Sequence, residues 1–179
     1  MARTIDIHVR LDPKTFRAYC AFDTFRRQRR WYPPVMAGMV LVTLSAALLL
    51  MGKGTSAAGV LMGLGIAVPM VVFGLYFIQV EAQVAAMKLK EKPAVYSLTL
   101  SADGVRVRND QKSEAPVDLE WYKLWAAFRR RDCVYLYVSP ERAFILPDGQ
   151  ASCSPDALWQ YLQKNMGDAK CVAAYRDGR

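Results

Sequence analysis

With 179 residues, 53% of them hydrophobic, the chain could build one sizeable core, but its apolar residues are not spread as a single core would need. Two runs, residues 33–51 and 57–78, contain no charged side chain, while both flanks have the polar surface of ordinary soluble sequence. The net charge of +8 is concentrated before the first run, without the interleaved aromatics of a nucleic-acid module, so nucleic acid is excluded as a partner.

Residues 4–11 alternate, with Ile5, Ile7, Val9 and Leu11 on one face and Asp6, His8 and Arg10 on the other. Period-two alternation predicts a strand with one buried face. His8, the only histidine, falls on the polar face and reads as solvated rather than catalytic. Asp12-Pro13 ends the strand. Residues 14–30 hold good helix formers and no Gly or Pro, but Phe16, Tyr19, Cys20, Phe22 and Phe25 spread around the wheel. The segment predicts a helix leading to the first apolar run, not a clean amphipathic membrane helix. Pro33-Pro34 marks a break between the two.

Each apolar run can cross a hydrocarbon core of about 30 Å as a helix rising about 1.5 Å per residue. The connector Gly52-Lys53-Gly54-Thr55-Ser56 allows only a tight reversal, so a helical hairpin is predicted. Buried core helices of a globular protein are the alternative, but runs of about 10–14 residues suit them better. No cleavage signal follows the first run, which reads as an uncleaved anchor. The runs contain no ionisable side chain, which argues against a self-contained transporter. The second run carries a G-x-x-x-G, Gly59 and Gly63, with Gly65 and Ala67 beyond. Small residues let helix backbones approach, either against the first span (Gly38, Ala46, Ala47) or against a second copy. Of the two, packing against the first span is favoured, because the short loop already forces the helices together. Pro69 predicts a bend.

Arg26, Arg27, Arg29 and Arg30 precede the first span, and Lys88, Lys90 and Lys92 follow the second, against Lys53 alone in the loop. This bias predicts a multi-pass cell-membrane protein with both termini cytoplasmic. Trp31 and Tyr32 sit where amphipathic rings prefer the headgroups, with Tyr76 and Phe77 at the matching level of the second span. These arginines and aromatics are the candidate membrane-interface residues, and membrane lipids the first expected partners. The arginines act chiefly as a topology signal.

The second helix is expected to run on to Glu91 and to stop at Pro93. Short strands follow: 96–100, a hairpin signal at Asp103-Gly104, 105–108, a turn at 109–112, then 115–121, 123–129, 133–139 and 142–146. Ser154 is a good N-cap, Pro155 suits the first helical position, and Leu158, Trp159, Leu162 and Met166 follow at helical spacing up to Gly167. Residues 168–179 predict a weakly ordered tail. Strands followed by a helix indicate an α+β domain, a twisted antiparallel sheet with the helix closing its open end. Residues 5–9 should join that sheet, because an isolated strand leaves its backbone groups unpaired. The turn Arg129-Arg130-Arg131 offers three adjacent guanidiniums and is the candidate contact for an acidic partner.

The four cysteines, Cys20, Cys133, Cys153 and Cys171, have no metal-site spacing and read as reduced. No nucleophile elbow, zinc-protease, P-loop or dinucleotide motif is present, and no catalytic residue, cofactor or metal is predicted. The reading is a non-enzyme.

Leu100-Ser-Ala-Asp-Gly-Val105, Leu119-Glu-Trp121 followed by Leu124, and Ala143-Phe-Ile-Leu-Pro147, with the opening strand and residues 12–16, resemble the YcxB-like membrane proteins over nearly the whole chain. Asp148-Gly149-Gln150 departs from the basic and aromatic residues that family tends to show after the proline. The resemblance implies a C-terminal pleckstrin-homology-like domain and no established activity. The expected organisation is a cytosolic strand and helix (1–31), a transmembrane hairpin (32–80), a helix extension with the cytosolic β domain (81–167) and the tail (168–179). The expected function is a membrane-anchored interaction module binding lipid headgroups or a partner protein. The alternative is an accessory subunit of a transporter or envelope complex, meeting its partner or a second copy through the hairpin.

Overall fold

The computed structural model describes residues 4–52, 54–89, 94–109 and 115–173. The chain divides into two compact units, Met1–Phe16 with Met87–Arg179, and Arg17–Ala86.

The first unit is built on strands. β1 (Ile5–Leu11) alternates as its sequence predicts, with Ile5, Ile7, Val9 and Leu11 buried and the residues between them exposed. It pairs antiparallel with β2 (Ala94–Leu100) over its full length, from Ile5 opposite Leu100 to Leu11 opposite Ala94. β3 (Gly104–Asn109) and β4 (Val117–Glu120) complete a four-stranded antiparallel sheet in chain order. A Cβ at Gly104 would lie 2.4 Å from the Leu119 carbonyl, so glycine is required where β3 meets β4.

The second sheet has the order β7-β6-β5-β8, from β5 (Ala126–Arg129), β6 (Cys133–Ser139), β7 (Arg142–Pro147) and β8 (Cys171–Ala173). β8 lies parallel to β5. The strands therefore form two sheets, one of them mixed, instead of a single antiparallel meander. Residues 168–170, read as tail, form a 3-10 turn, and Cys171–Ala173 a strand, because the backbone edge of β5 is open to a partner there.

Side chains join the sheets. The Tyr96 hydroxyl donates to the Ile145 carbonyl at 2.7 Å and accepts from the Ile145 N–H at 3.1 Å, capping the free edge of β7. Gln150 and Ser152 cap the free edge of β1: Arg10 N–H donates to Gln150 Oε1 at 2.8 Å and Ser152 N–H donates to the Asp6 carbonyl at 2.8 Å. Gln150 is thus tied to the sheet.

Trp121 follows β4 and begins a 3-10 turn, Trp121–Lys123, where the sequence predicts the end of one strand and the start of the next. Its ring is buried and its indole N–H reaches the carbonyls of Ser101 and Ala102, and the turn is what points it inward. Helix α4 (Pro155–Met166) is capped by Ser154, buries Leu158, Trp159, Leu162 and Met166, and ends at Gly167 with φ 83°.

α1 (Pro13–Ala21) begins in the first unit and gives way in the second to a π-helical turn, Phe22–Arg27, where the sequence predicts one α-helix. Arg29 has φ 50° and stops the winding. The prolines occupy the first turn of α2 (Tyr32–Leu50), where the missing N–H costs nothing, so the break lies just ahead of them. α3 (Thr55–Ala86) at about 1.5 Å per residue spans about 48 Å. It ends short of Glu91, with Lys88 at φ 52° in the following turn. Lys53, Lys90, Lys92, Pro93, residues 110–112 of the expected turn and residues 174–179 of the expected tail lie outside the described residues.

α2 and α3 form the expected hairpin, and Gly52 (φ 66°) and Gly54 (φ 65°) take the left-handed conformations the reversal needs. Both helices are long and apolar enough to cross a membrane, and only 11% and 6% of their apolar windows are buried within the chain. Core helices of a globular protein would be mostly buried. Their contact is made by Gly38 and Gly65. A Cβ on Gly38 would fall 2.5 Å from the Gly65 carbonyl, and one on Gly65 2.9 Å from the Gly38 carbonyl. Pro69 has no N–H, which frees the Gly65 carbonyl four residues earlier, and that carbonyl lies against Gly38. Ser45 is fully buried, its hydroxyl donating to the Ala58 carbonyl at 2.6 Å.

Candidate functional site

Gly59 and Gly63 do not make the contact between the helices. A Cβ at either would meet nothing within 4 Å. The favoured packing of this G-x-x-x-G against the first span is therefore corrected: Gly65, two residues beyond Gly63 and on another face of the helix, does that work because it lies level with Gly38. The other reading of the motif, a face for a partner helix, concerns this open surface.

The four interface arginines separate by partner. Arg27 is turned inward, its Nε donating to Asp23 Oδ1 at 2.5 Å, and Gln28 donates to the other carboxylate oxygen at 2.6 Å. Arg26, Arg29 and Arg30 are exposed, and no acid is paired with them among the described residues. Trp31 is half-buried and donates its indole N–H to the Phe25 carbonyl at 3.0 Å, while Tyr32 is exposed. Arg17, which the sequence did not single out, is bridged to Glu81 of α3 at 2.6 Å. Cys20 sits partly buried in α1, and burial pushes its thiol up to about 11.

The basic turn is not three free guanidiniums. Arg129 donates to Asp156 at 2.5 Å, tying β5 to the first turn of α4. Asp132 and Asp148 lie beside it, and burial, ahead of the neighbouring carboxylates, holds Asp148 above the ordinary carboxylate range. Three carboxylates therefore offset the three arginines, and only Arg131 is both exposed and unclaimed by an ion pair among the described residues. Sequence alone could not show this, because Asp148 and Asp156 are distant in the chain. Replacing Arg129 with serine should cost about 1 kcal/mol, the range of a half-exposed ion pair, whereas Arg131→Ser should change stability by less than about 0.5 kcal/mol. Thermal unfolding of the two variants in detergent checks this, and equal melting temperatures would remove the structural role of Arg129.

The exposed face of the first sheet is polar and internally bonded. His8 Nδ1 lies 3.1 Å from Ser97 Oγ, Thr99 donates to Asp6 at 2.8 Å, and Arg106 is bridged to Asp118 at 2.7 Å. The apolar exposure of this unit lies elsewhere. Tyr122 is 72% and Trp125 42% exposed, beside Lys123, whose ammonium lies 5.5 Å from the Tyr122 ring centre. Lys170 braces the same turn, donating to the carbonyls of Tyr122 and Leu124 at 3.1 and 2.8 Å. No disulfide joins the four cysteines. Among the described residues, no group of three His, Cys, Asp or Glu side chains could hold a metal ion.

No family model matches the chain, and no curated protein or solved structure matches it either.

Proposed function

We propose that this chain is a membrane-anchored interaction module of the YcxB-like kind, without enzymatic activity, its β unit held at the cytoplasmic face by the hairpin. The observation that carries the reading is the pairing of β1 with β2. These strands flank the two apolar helices in sequence, yet they are bonded residue by residue in one sheet. A hairpin inserted between two paired strands must begin and end on one side of the membrane. The excess of arginine and lysine outside the loop makes that side the cytoplasm.

Tyr122 and Trp125, with Lys123, are the contact face of the module. Exposed aromatics next to a cation are the composition of a binding surface, and the charge-balanced arginine turn is not. The open Gly59 and Gly63 support a second reading, an accessory subunit meeting a partner through α3.

Purification of the full chain in mild detergent, with mass spectrometry of co-eluting proteins, separates the two. A stoichiometric partner lost in the Tyr122→Ser, Trp125→Ser double variant and kept in Gly59→Leu supports the module. The opposite pattern supports the subunit. A chain that binds identically in every variant contradicts both.

A further inference from the structure

Where the π-helical turn meets α3, side chains line a half-open cavity of about 260 Å³. Phe25 lies between Phe73, ring centres 5.9 Å apart and stacked, and Tyr76, 5.0 Å and edge-on. Trp31 closes another side, its ring held by the hydrogen bond to the Phe25 carbonyl. Arg30 contributes a charged group to this otherwise largely apolar lining. π-helical turns rotate side chains out of the α-helical register and are frequent at functional sites. Here the turn sets Phe25 against the rings of Phe73 and Tyr76 on α3.

We propose that this cavity holds one anionic phospholipid, its phosphate on Arg30 and its glycerol and first methylenes against Phe25, Phe73 and Tyr76. The assignment rests on the reading that α2 and α3 cross the membrane, and three observations favour a lipid. The cavity lies at the end of the charge-free run, beside the arginines, which is the depth of the headgroups. Leu75, which lines the cavity, is 52% exposed on α3, so the apolar side of the site is continuous with the surface that would face acyl chains. The charge is complementary: Arg17 and Arg27 are held by Glu81 and Asp23, while Arg30 and its neighbours Arg26 and Arg29 are open to an anion. A guanidinium offers a phosphate two parallel N–H donors. The volume is too small for a whole lipid and suits its polar end, with the tails running along α3.

Native mass spectrometry of the full chain, with equal amounts of phosphatidylglycerol and phosphatidylcholine in the detergent, tests the site. The wild-type chain should retain one phosphatidylglycerol in clear preference. Arg30→Gln, a change at an exposed side chain, should reduce that preference about fivefold. Phe73→Ala removes the ring stacked on Phe25 and should lower the retained lipid although every arginine remains. Equal retention of the two lipids by the wild type, or unchanged retention in both variants, would overturn the proposal. A carbonate wash of the membranes beforehand separates the two failures. Release of the chain removes the anchoring and the site together, whereas a chain that stays without preferring phosphatidylglycerol removes only the site.

Discussion

Removing residues 1–11 is expected to unfold the β unit outright. β1 places Ile5, Ile7, Val9 and Leu11 in the core, each at most 6% exposed. Fully burying such a side chain contributes about 1.5–3 kcal/mol, so the four together approach the whole stability of a domain, about 5–15 kcal/mol. The backbone loses as much order as the core. β2 would gain a bare edge, and the Gln150 and Ser152 groups that cap β1 would lose their partners. The shortened chain should show no cooperative melting of the β unit by near-ultraviolet circular dichroism, and a peptide of residues 1–11 added in trans should restore part of it. Cooperative melting at the wild-type temperature would show that β1 is dispensable.

The second large effect concerns the hairpin. Gly38→Leu and Gly65→Leu should each destabilise it by about 2–3 kcal/mol or more, because the new side chain meets backbone of the facing helix, which cannot rotate away. Parting the helices would also strain the Ser45 hydrogen bond to Ala58. Gly59→Leu and Gly63→Leu should leave the isolated chain within about 0.5 kcal/mol of the wild type, since their added atoms enter open space. Unfolding in detergent at low protein concentration measures all four. The reverse ranking would mean that the helices pack through the G-x-x-x-G after all.

The fold was legible where periodicity is strong. Alternation in residues 5–11 identified β1, and the lengths of the two apolar runs identified α2 and α3. The pairing of β1 with the later sheet followed from the need to satisfy its backbone, although nothing in either strand names its partner. What was missed depends on tertiary context. β8 is three residues long and has no pattern of its own; the open edge of β5 makes it a strand. Between the two sheets the chain makes a 3-10 turn at Trp121, whose indole N–H reaches the carbonyls of Ser101 and Ala102, a contact that propensity does not encode. Candidate sites fared similarly. The exposed arginines before α2 follow from composition, and the pairing of Arg27 with Asp23 sits at a four-residue spacing that the sequence offers. The neutralised arginine turn needed Asp148 and Asp156 to be brought in from later in the chain.

A membrane-anchored module of this kind requires the hairpin to cross the membrane with its loop outside. Thr55 is exposed at the start of α3 and can be replaced by cysteine without touching the contact between the helices. Cys20, Cys133, Cys153 and Cys171 all lie outside the hairpin and serve as internal controls. In intact cells a membrane-impermeant maleimide should label Thr55→Cys and leave the wild-type chain unlabelled, with the native cysteines reacting only after permeabilisation. Labelling of Thr55→Cys only after permeabilisation would contradict the topology and the membrane-anchored function built on it.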